Sequence, residues 1–250
     1  LKEKLVSIGL RPISALVDIT NLMTFDLGRP LHVFDAAQIK GDINISLATS
    51  QESFLALDGK NYTLDDTMCS IRDDETTKAL GGIIGGENSG CTPSTNDVFI
   101  ECAYFDPIRT AKTGRKLQIN SDARFRFERS VDPNFLSHAI EIATRLVLDL
   151  CGGEPSELVI AGAEPDWQRS IELRTNRVKS LAGIDVPTQE IERIMLLLGF
   201  TVEGGNGILK VAVPPWRSDV TGEACLVEEV VRIFGFDKIP TVPIRPISAL

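Results

Sequence analysis

Glu101 interrupts an otherwise apolar run, Val98-Phe99-Ile100-Glu101-Cys102-Ala103-Tyr104-Phe105. Read as a buried strand, this run puts Glu101 on one face with Phe99, Ala103 and Phe105, because strand side chains alternate. A carboxylate in such a place needs a partner, a ligand or water, since burying an unpaired charge is strongly unfavourable. Just upstream lies G-G-I-I-G-G-E-N-S-G, with glycines at 81, 82, 85, 86 and 90. Glycine at that density implies left-handed backbone or the close approach of another group. Two readings follow. Glu101 sits solvated or salt-bridged on an edge strand, or it forms the floor of a glycine-walled pocket.

The other groups able to hold and orient a polar ligand are Arg11, Asp18, Thr20-Asn21, His32, the Gly85-Gly86 backbone and Ser121-Asp122-Ala123-Arg124. They contain no strong acid–base pair. A lone histidine in an apolar run such as Leu31–Asp35 is more often a satisfied core residue than a catalyst. The glycine run is neither G-x-x-x-x-G-K-[ST] nor G-x-G-x-x-G, so phosphate cradling by those devices is excluded. No serine-centred nucleophile elbow is present. A second constellation is Asp219, Glu228 and Glu229. Three carboxylates from a loop and a helix suit Mg²⁺, an oxygen-seeking ion. The same acids also suit an N-terminal helical turn, where the helix dipole favours negative charge.

A chain of 250 residues with 43% hydrophobic and 24% charged content makes one large globular domain or two ordinary ones. The first residue is Leu1, and the chain is expected to be an excerpt of a longer protein. A net charge of −9 argues against a coat for nonspecific nucleic-acid binding. Seven basic residues against Asp122 and Glu128 between Arg109 and Arg129 form a local stripe, either a solvated face or a hold for phosphates. Five cysteines without C-x-x-C spacing favour reduced thiols in a cytoplasmic protein over disulfides or zinc. No apolar run is long enough to span a membrane.

Positioning these groups requires a helix over 14–26 stopped at Gly28, and strands at Ile43–Ala48, Phe54–Leu57, Tyr62–Leu64, Met68–Ile71 and Lys78–Ile84. Asp58-Gly59 marks a hairpin. Asp106-Pro107 opens a helix ended by Gly114, and Asp132-Pro133 opens a longer one closed by Cys151-Gly152-Gly153. Gly162–Trp167 is a polar link to a compact α/β unit with helices ending at Gly183, Gly199 and Gly235. Arg11–Leu16 and Arg245–Leu250 are both R-P-I-S-A-L, a repeat with no structural reading.

In series, several stretches resemble the β subunit of bacterial phenylalanyl-tRNA synthetase. They are R-P-I-S-A-L-V-D-I-T-N, G-R-P-L-H-V-F-D, A-L-G-G-I-I-G-G-E-N-S-G, I-E-C-A-Y-F-D-P-I-R, N-S-D-A-R-F-R-F-E-R-S-V-D-P, V-P-P-W-R-S-D-V and L-V-E-E-V-V-R-I-F-G-F-D-K-I-P. The resemblance spans about Arg11 to Pro240. It implies an α+β fold: a mixed-sheet editing domain with flanking helices over 1–164, a small winged-helix-like α/β domain over 165–240, and the start of a linker over 241–250. It also implies hydrolysis of tyrosine wrongly attached to phenylalanine tRNA. Arg11, His32 and Ser121 would take catalytic places, and Glu101, Gly85, Gly86, Ala123, Thr20 and Asn21 would bind substrate. Ser121 stands where many relatives carry Thr.

The same resemblance implies magnesium at Asp219, Glu228 and Glu229, with Cys225 where a fourth, acidic ligand is usual. It implies an α2β2 partnership with the catalytic α subunit, a bound phenylalanine tRNA, and ATP consumed by the whole enzyme rather than by this part. Neither a membrane nor DNA is an expected partner. The competing reading is a non-catalytic scaffold that holds tRNA and the partner subunit. Tyr and Phe differ by one hydroxyl, which a hydrophobic pocket rejects by only about 10²-fold, so a second hydrolytic site is the usual remedy.

Overall fold

Ser14 has extended backbone, and its hydroxyl accepts a hydrogen bond from the Val17 amide, which starts the first long helix. The computed structural model describes residues 1–243, so the second R-P-I-S-A-L and most of the expected linker lie outside the described residues. The chain divides into two units, Leu1–Glu164 and the remainder from Pro165. Its class is α+β, and every strand pair described is antiparallel.

In the first unit, α1 (Lys2–Ser7) and α2 (Ala15–Asp26) lead to β1 (His32–Asp35). Then come β2 (Asn44–Leu47), β3 (Ser53–Leu55), β4 (Asn61–Thr63), β5 (Cys69–Arg72), β6 (Thr77–Leu80), β7 (Ile84–Gly85) and β8 (Val98–Glu101). Helices α3 (Pro107–Leu117), α4 (Asp122–Phe127) and α5 (Leu136–Cys151) complete it. The sheet order is β2-β5-β6-β7, with β3-β4 as a hairpin and β1-β8 as a separate two-stranded ribbon. The hairpin turns at Asp58-Gly59, where Gly59 takes φ 75° and Asp58 accepts from the Lys60 amide and the Tyr62 hydroxyl. One apolar cluster joins Phe34, Ile71, Ala79, Phe105, Phe127 and Val131; another joins α2 to α5 through Ile19, Met23, Ala139 and Ala143.

Two strand expectations are corrected. The run from Lys78 to Ile84 is not one strand: it turns at Gly81–Ile83, and the Ile83 amide closes the turn on the Leu80 carbonyl. The run from Val98 to Phe105 pairs only as far as Glu101, and Phe99 is 39% exposed, so β8 is no buried strand. Gly114 does not end its helix. It lies inside α3, where an added Cβ would sit 2.2 Å from Arg124 Nε, so glycine lets α3 and α4 cross closely.

The second unit contains β9 (Arg169–Arg174), α6 (Thr175–Ala182), α7 (Thr188–Leu197), β10 (Thr201–Gly205), β11 (Ile208–Val213) and α8 (Glu223–Phe234). Its sheet is β10-β11-β9. Burial along β11 alternates strictly, Leu209, Val211 and Val213 facing in. They meet Val178, Ile191, Ile194, Leu226 and Val230 from the three helices. Among the described residues no helix is long and apolar enough to cross a membrane.

Candidate functional site

The β1–β8 ribbon places His32 directly opposite Glu101. Directly opposed residues of an antiparallel pair project to the same side, their Cβ atoms about 5 Å apart. Both side chains lack what such groups usually have. The His32 Nε2 is buried with no hydrogen-bond partner. Among the described residues, the Glu101 carboxyl has neither a hydrogen-bond nor an ion-pair partner, although the residue is half-buried. Burial pushes its carboxyl up to about 7. Burial also pushes His32 down to about 4, so at neutral pH its imidazole is uncharged.

Gly85 forms the wall beside the histidine. A Cβ there would lie 2.4 Å from His32 Cε1 and 2.7 Å from Nε2, so any side chain would displace the ring. The neighbouring glycines are explained in the same way. Gly81 is packed under Phe105, Gly82 (φ 70°) under Phe105 and Phe127, and Gly86 against the Lys78 carbonyl. The cluster is therefore a set of close approaches. The Gly86 amide is not free to hold a ligand: it donates to the Lys78 carbonyl at 2.7 Å. Lys78 itself is buried and pairs with Asp73 at 3.0 Å, and three backbone amides also donate to Asp73 and hold its carboxyl at about 2.

Ser121 is occupied structurally. Its hydroxyl donates to the Ile83 carbonyl at 2.6 Å and accepts from the Arg124 amide at 3.0 Å. It thus caps α4 and ties that helix to the glycine turn. Ala123 packs against the cluster containing Phe34, whose ring lies edge-on to His32 at 4.3 Å. Arg11 is exposed, and no hydrogen bond or ion pair links it to Glu101 or His32 among the described residues. Its segment is held by buried Asp18, which accepts from the Ile13 amide at 2.9 Å. The Thr20 hydroxyl donates to the Val17 carbonyl within α2, and Asn21 is half-buried beside it.

The basic stripe is largely spoken for. Arg109 donates to the Thr67 carbonyl, Lys116 pairs with Asp65, buried Arg124 pairs with Glu128, Arg126 covers the Phe25 ring, and Arg129 covers that of Phe125. Sequence reasoning also passed over Arg29, which is 1% exposed and donates to the carbonyls of Ala103 and Asp132. Its only local signal was a charged residue between a helix stop and an apolar strand. Its partners lie 74 and 103 residues away.

In the second unit Arg217 occupies the acidic constellation. It binds Asp219 in fork fashion at 2.8 and 2.7 Å and reaches Glu229 at 3.0 Å; Arg232 also pairs with Glu229. Glu228 is exposed, and Cys225 directs its sulfur to the Asp219 carbonyl at 3.9 Å. Among the described residues no three His, Cys, Asp or Glu side chains come together as a metal cage. The carboxylates as arranged fit a guanidinium rather than magnesium.

Residues 1–152 match the B3/4 domain family, and residues 171–236 match the tRNA synthetase B5 domain. The chain is 60% identical over 248 residues to the phenylalanine–tRNA ligase beta subunit of Paramagnetospirillum magneticum, covering 98% of this chain and 31% of that protein. It is 55% identical over 243 residues to the corresponding subunit of Nitrobacter winogradskyi, covering 97% of this chain and 30% of that protein. The chain belongs to the phenylalanine–tRNA ligase beta subunit family and spans about a third of the length of these relatives. A solved N-terminal fragment of the phenylalanyl-tRNA synthetase beta subunit from Pyrococcus horikoshii aligns with 86% of this chain and 64% of that chain, at 15% identity and a TM-score of 0.39.

Proposed function

We propose that the first unit is the hydrolytic editing site of a phenylalanine–tRNA ligase and removes tyrosine esterified to phenylalanine tRNA. The observation that carries this reading is the His32–Glu101 pair: the buried His32 Nε2, walled by Gly85 and without a hydrogen-bond partner among the described residues, stands opposite the half-buried Glu101. Buried polar groups without partners are uncommon and point to a ligand that completes them.

Glu101 reads the phenol. Its carboxylate accepts the tyrosyl hydroxyl in a charge-assisted bond. Phenylalanine entering the same place leaves that acid unsatisfied, at about 1–3 kcal/mol, or roughly 5- to 150-fold. His32, neutral at working pH, orients the attacking water through its imidazole. Attack on the ester carbonyl expels the terminal ribose oxygen of the tRNA, which takes up a proton. Gly85 keeps the imidazole in place by leaving room for it, and Ser121 fixes the entry of α4 rather than attacking the ester.

The second unit contributes to docking of the catalytic α subunit in an α2β2 ligase. It exposes Leu196, Leu197 and Trp216, at 58%, 65% and 56%, as apolar surface for that purpose. ATP-dependent aminoacylation belongs to the whole enzyme. The deciding experiment presents the whole ligase with separately prepared tyrosyl- and phenylalanyl-tRNA(Phe) and follows ester loss. Faster loss of the tyrosyl ester, abolished by His32→Ala, is the expected result. Equal, slow loss of both esters would instead leave this unit as a scaffold.

A further inference from the structure

Arg29 is a buried cation with no carboxylate at ion-pair distance among the described residues. Its guanidinium instead donates to two main-chain carbonyls, Ala103 at 3.0 Å and Asp132. Its own amide donates to the Met23 carbonyl at 3.0 Å, which seats it on the last turn of α2. The planar fork of arginine suits two fixed acceptors in a way that a lysine ammonium does not.

The place of these bonds matters. The β1–β8 ladder stops at the His32–Glu101 pair. Arg29 precedes His32 by three residues, and Ala103 follows Glu101 by two. The side chain therefore bridges the two chains just past their last ladder pair, where the ribbon would otherwise splay. Burial alone shifts the Glu101 carboxyl, and it shifts it upward; a cation in contact with the acid would hold it down. Arg29 thus acts on Glu101 through the backbone.

We propose that Arg29 is a positioning residue of the editing site, clamping the chain that leaves Glu101 to the chain that enters His32 and so setting the gap in which the tyrosyl hydroxyl is read. The proposal rests on the editing reading above.

The test uses the whole ligase and compares deacylation of tyrosyl- and phenylalanyl-tRNA(Phe) by wild type, Arg29→Lys, Arg29→Met, Glu101→Gln and the Arg29→Met/Glu101→Gln double variant. Misplacement of about 1 Å costs up to roughly 10²-fold, so Arg29→Met is expected to lower the Tyr/Phe ratio of kcat/KM by about tenfold or more. KM for the tRNA stays within about twofold, because the tRNA body is not held there. The double variant discriminates no worse than Glu101→Gln alone, since both changes remove one device. Should Arg29→Met fail to fold, Arg29→Lys decides on the same ratio, keeping the charge but reaching only one carbonyl. An unchanged ratio with a lowered melting temperature, or losses that multiply in the double variant, overturns the proposal. Wild type without tyrosyl preference overturns the editing reading and the proposal together. A wild-type preference that Glu101→Gln abolishes but Arg29 variants keep overturns the proposal alone.

Discussion

His32 and Glu101 face each other across the last pair of the β1–β8 ladder, and among the described residues the buried Nε2 of His32 has no hydrogen-bond partner and the half-buried Glu101 carboxyl has no ion-pair partner. An isolated ribbon of two strands carries little stability of its own. This one is held at its open end by Arg29 and along its flank by Phe34, Phe105 and Phe127. The site is thus a rigid mouth with unmet hydrogen-bonding capacity, which is what a ligand-reading pocket needs.

Glu101→Gln keeps the shape and removes the charge. Hydrogen bonds to charged groups contribute about 1.5–3 kcal/mol, so tyrosyl-ester kcat/KM should fall about 10- to 100-fold while phenylalanyl-ester turnover holds or rises. Single-turnover deacylation of both esters measures it. An unchanged Tyr/Phe ratio would remove Glu101 from the reading of the hydroxyl.

The pH dependence has a defined sign. Glu101 has its folded pKa raised from 4.5 to about 7, so its carboxylate form grows between pH 6 and 8 and the Tyr/Phe ratio should rise over that window. The same shift makes its contribution to stability full below about pH 4.5 and lost as pH climbs through 7. Glu101→Gln should therefore unfold at higher denaturant than wild type at pH 8, by on the order of 1–3 kcal/mol, and gain nothing at pH 4. His32 works oppositely. Lowered to about 4, it stabilises above its unfolded value of 6.5, and that contribution is lost as pH falls through 4.

Gly85→Ala places a methyl 2.4 Å from the His32 ring. The backbone at Gly85 is not left-handed, so the change acts through contact alone. Deacylation should drop about tenfold or more as the imidazole moves. The expected accompaniment is a changed NMR shift of the His32 Cε1 proton. A normal His32 signal with normal activity would separate Gly85 from the site.

Ser121→Ala removes both the cap of α4 and the bond to Ile83, and should cost about 1–2 kcal/mol in denaturant unfolding. Ser121→Thr keeps the hydroxyl and should retain both stability and deacylation. Full stability in the alanine variant alongside abolished hydrolysis would give the hydroxyl a chemical role instead.

Arg217→Ala leaves Glu229, which is 7% exposed, with Arg232 as its remaining partner and takes the fork from Asp219, and should destabilise the second unit by about 1–2 kcal/mol. Millimolar Mg²⁺ should leave the wild-type melting temperature unchanged and restore part of the loss in the variant, whose Asp219 is then free for a cation. A melting temperature that climbs with Mg²⁺ in the wild type would show that the metal outcompetes Arg217.

Local chemistry was legible wherever one segment decides the outcome. The Ser14 cap of α2, the Asp58-Gly59 hairpin, the alternation in β11 and the glycine stop of α6 all follow from neighbours within a few residues. Glu101 announced itself because an acid in an apolar run violates its surroundings. Where the expectation failed, a distant group had intervened. Gly114 is a glycine because Arg124 fills the space a side chain would take, not because it stops a helix, and past the end of β8 the Ala103 carbonyl is bound by Arg29.

The sequence by itself determined that Glu101 and the glycine run carry unusual chemistry, and the order of the elements that bear them, since propensity, capping and periodicity act over a turn or a strand. Only the tertiary structure decided that His32 faces Glu101, that Gly85 yields to the imidazole, that Ser121 is a cap, and that Arg217 neutralises Asp219 and Glu229. The physical reason is range. Strand register, close packing and buried hydrogen bonds join residues dozens of positions apart, and no local preference encodes which distant carbonyl or carboxylate a side chain will meet.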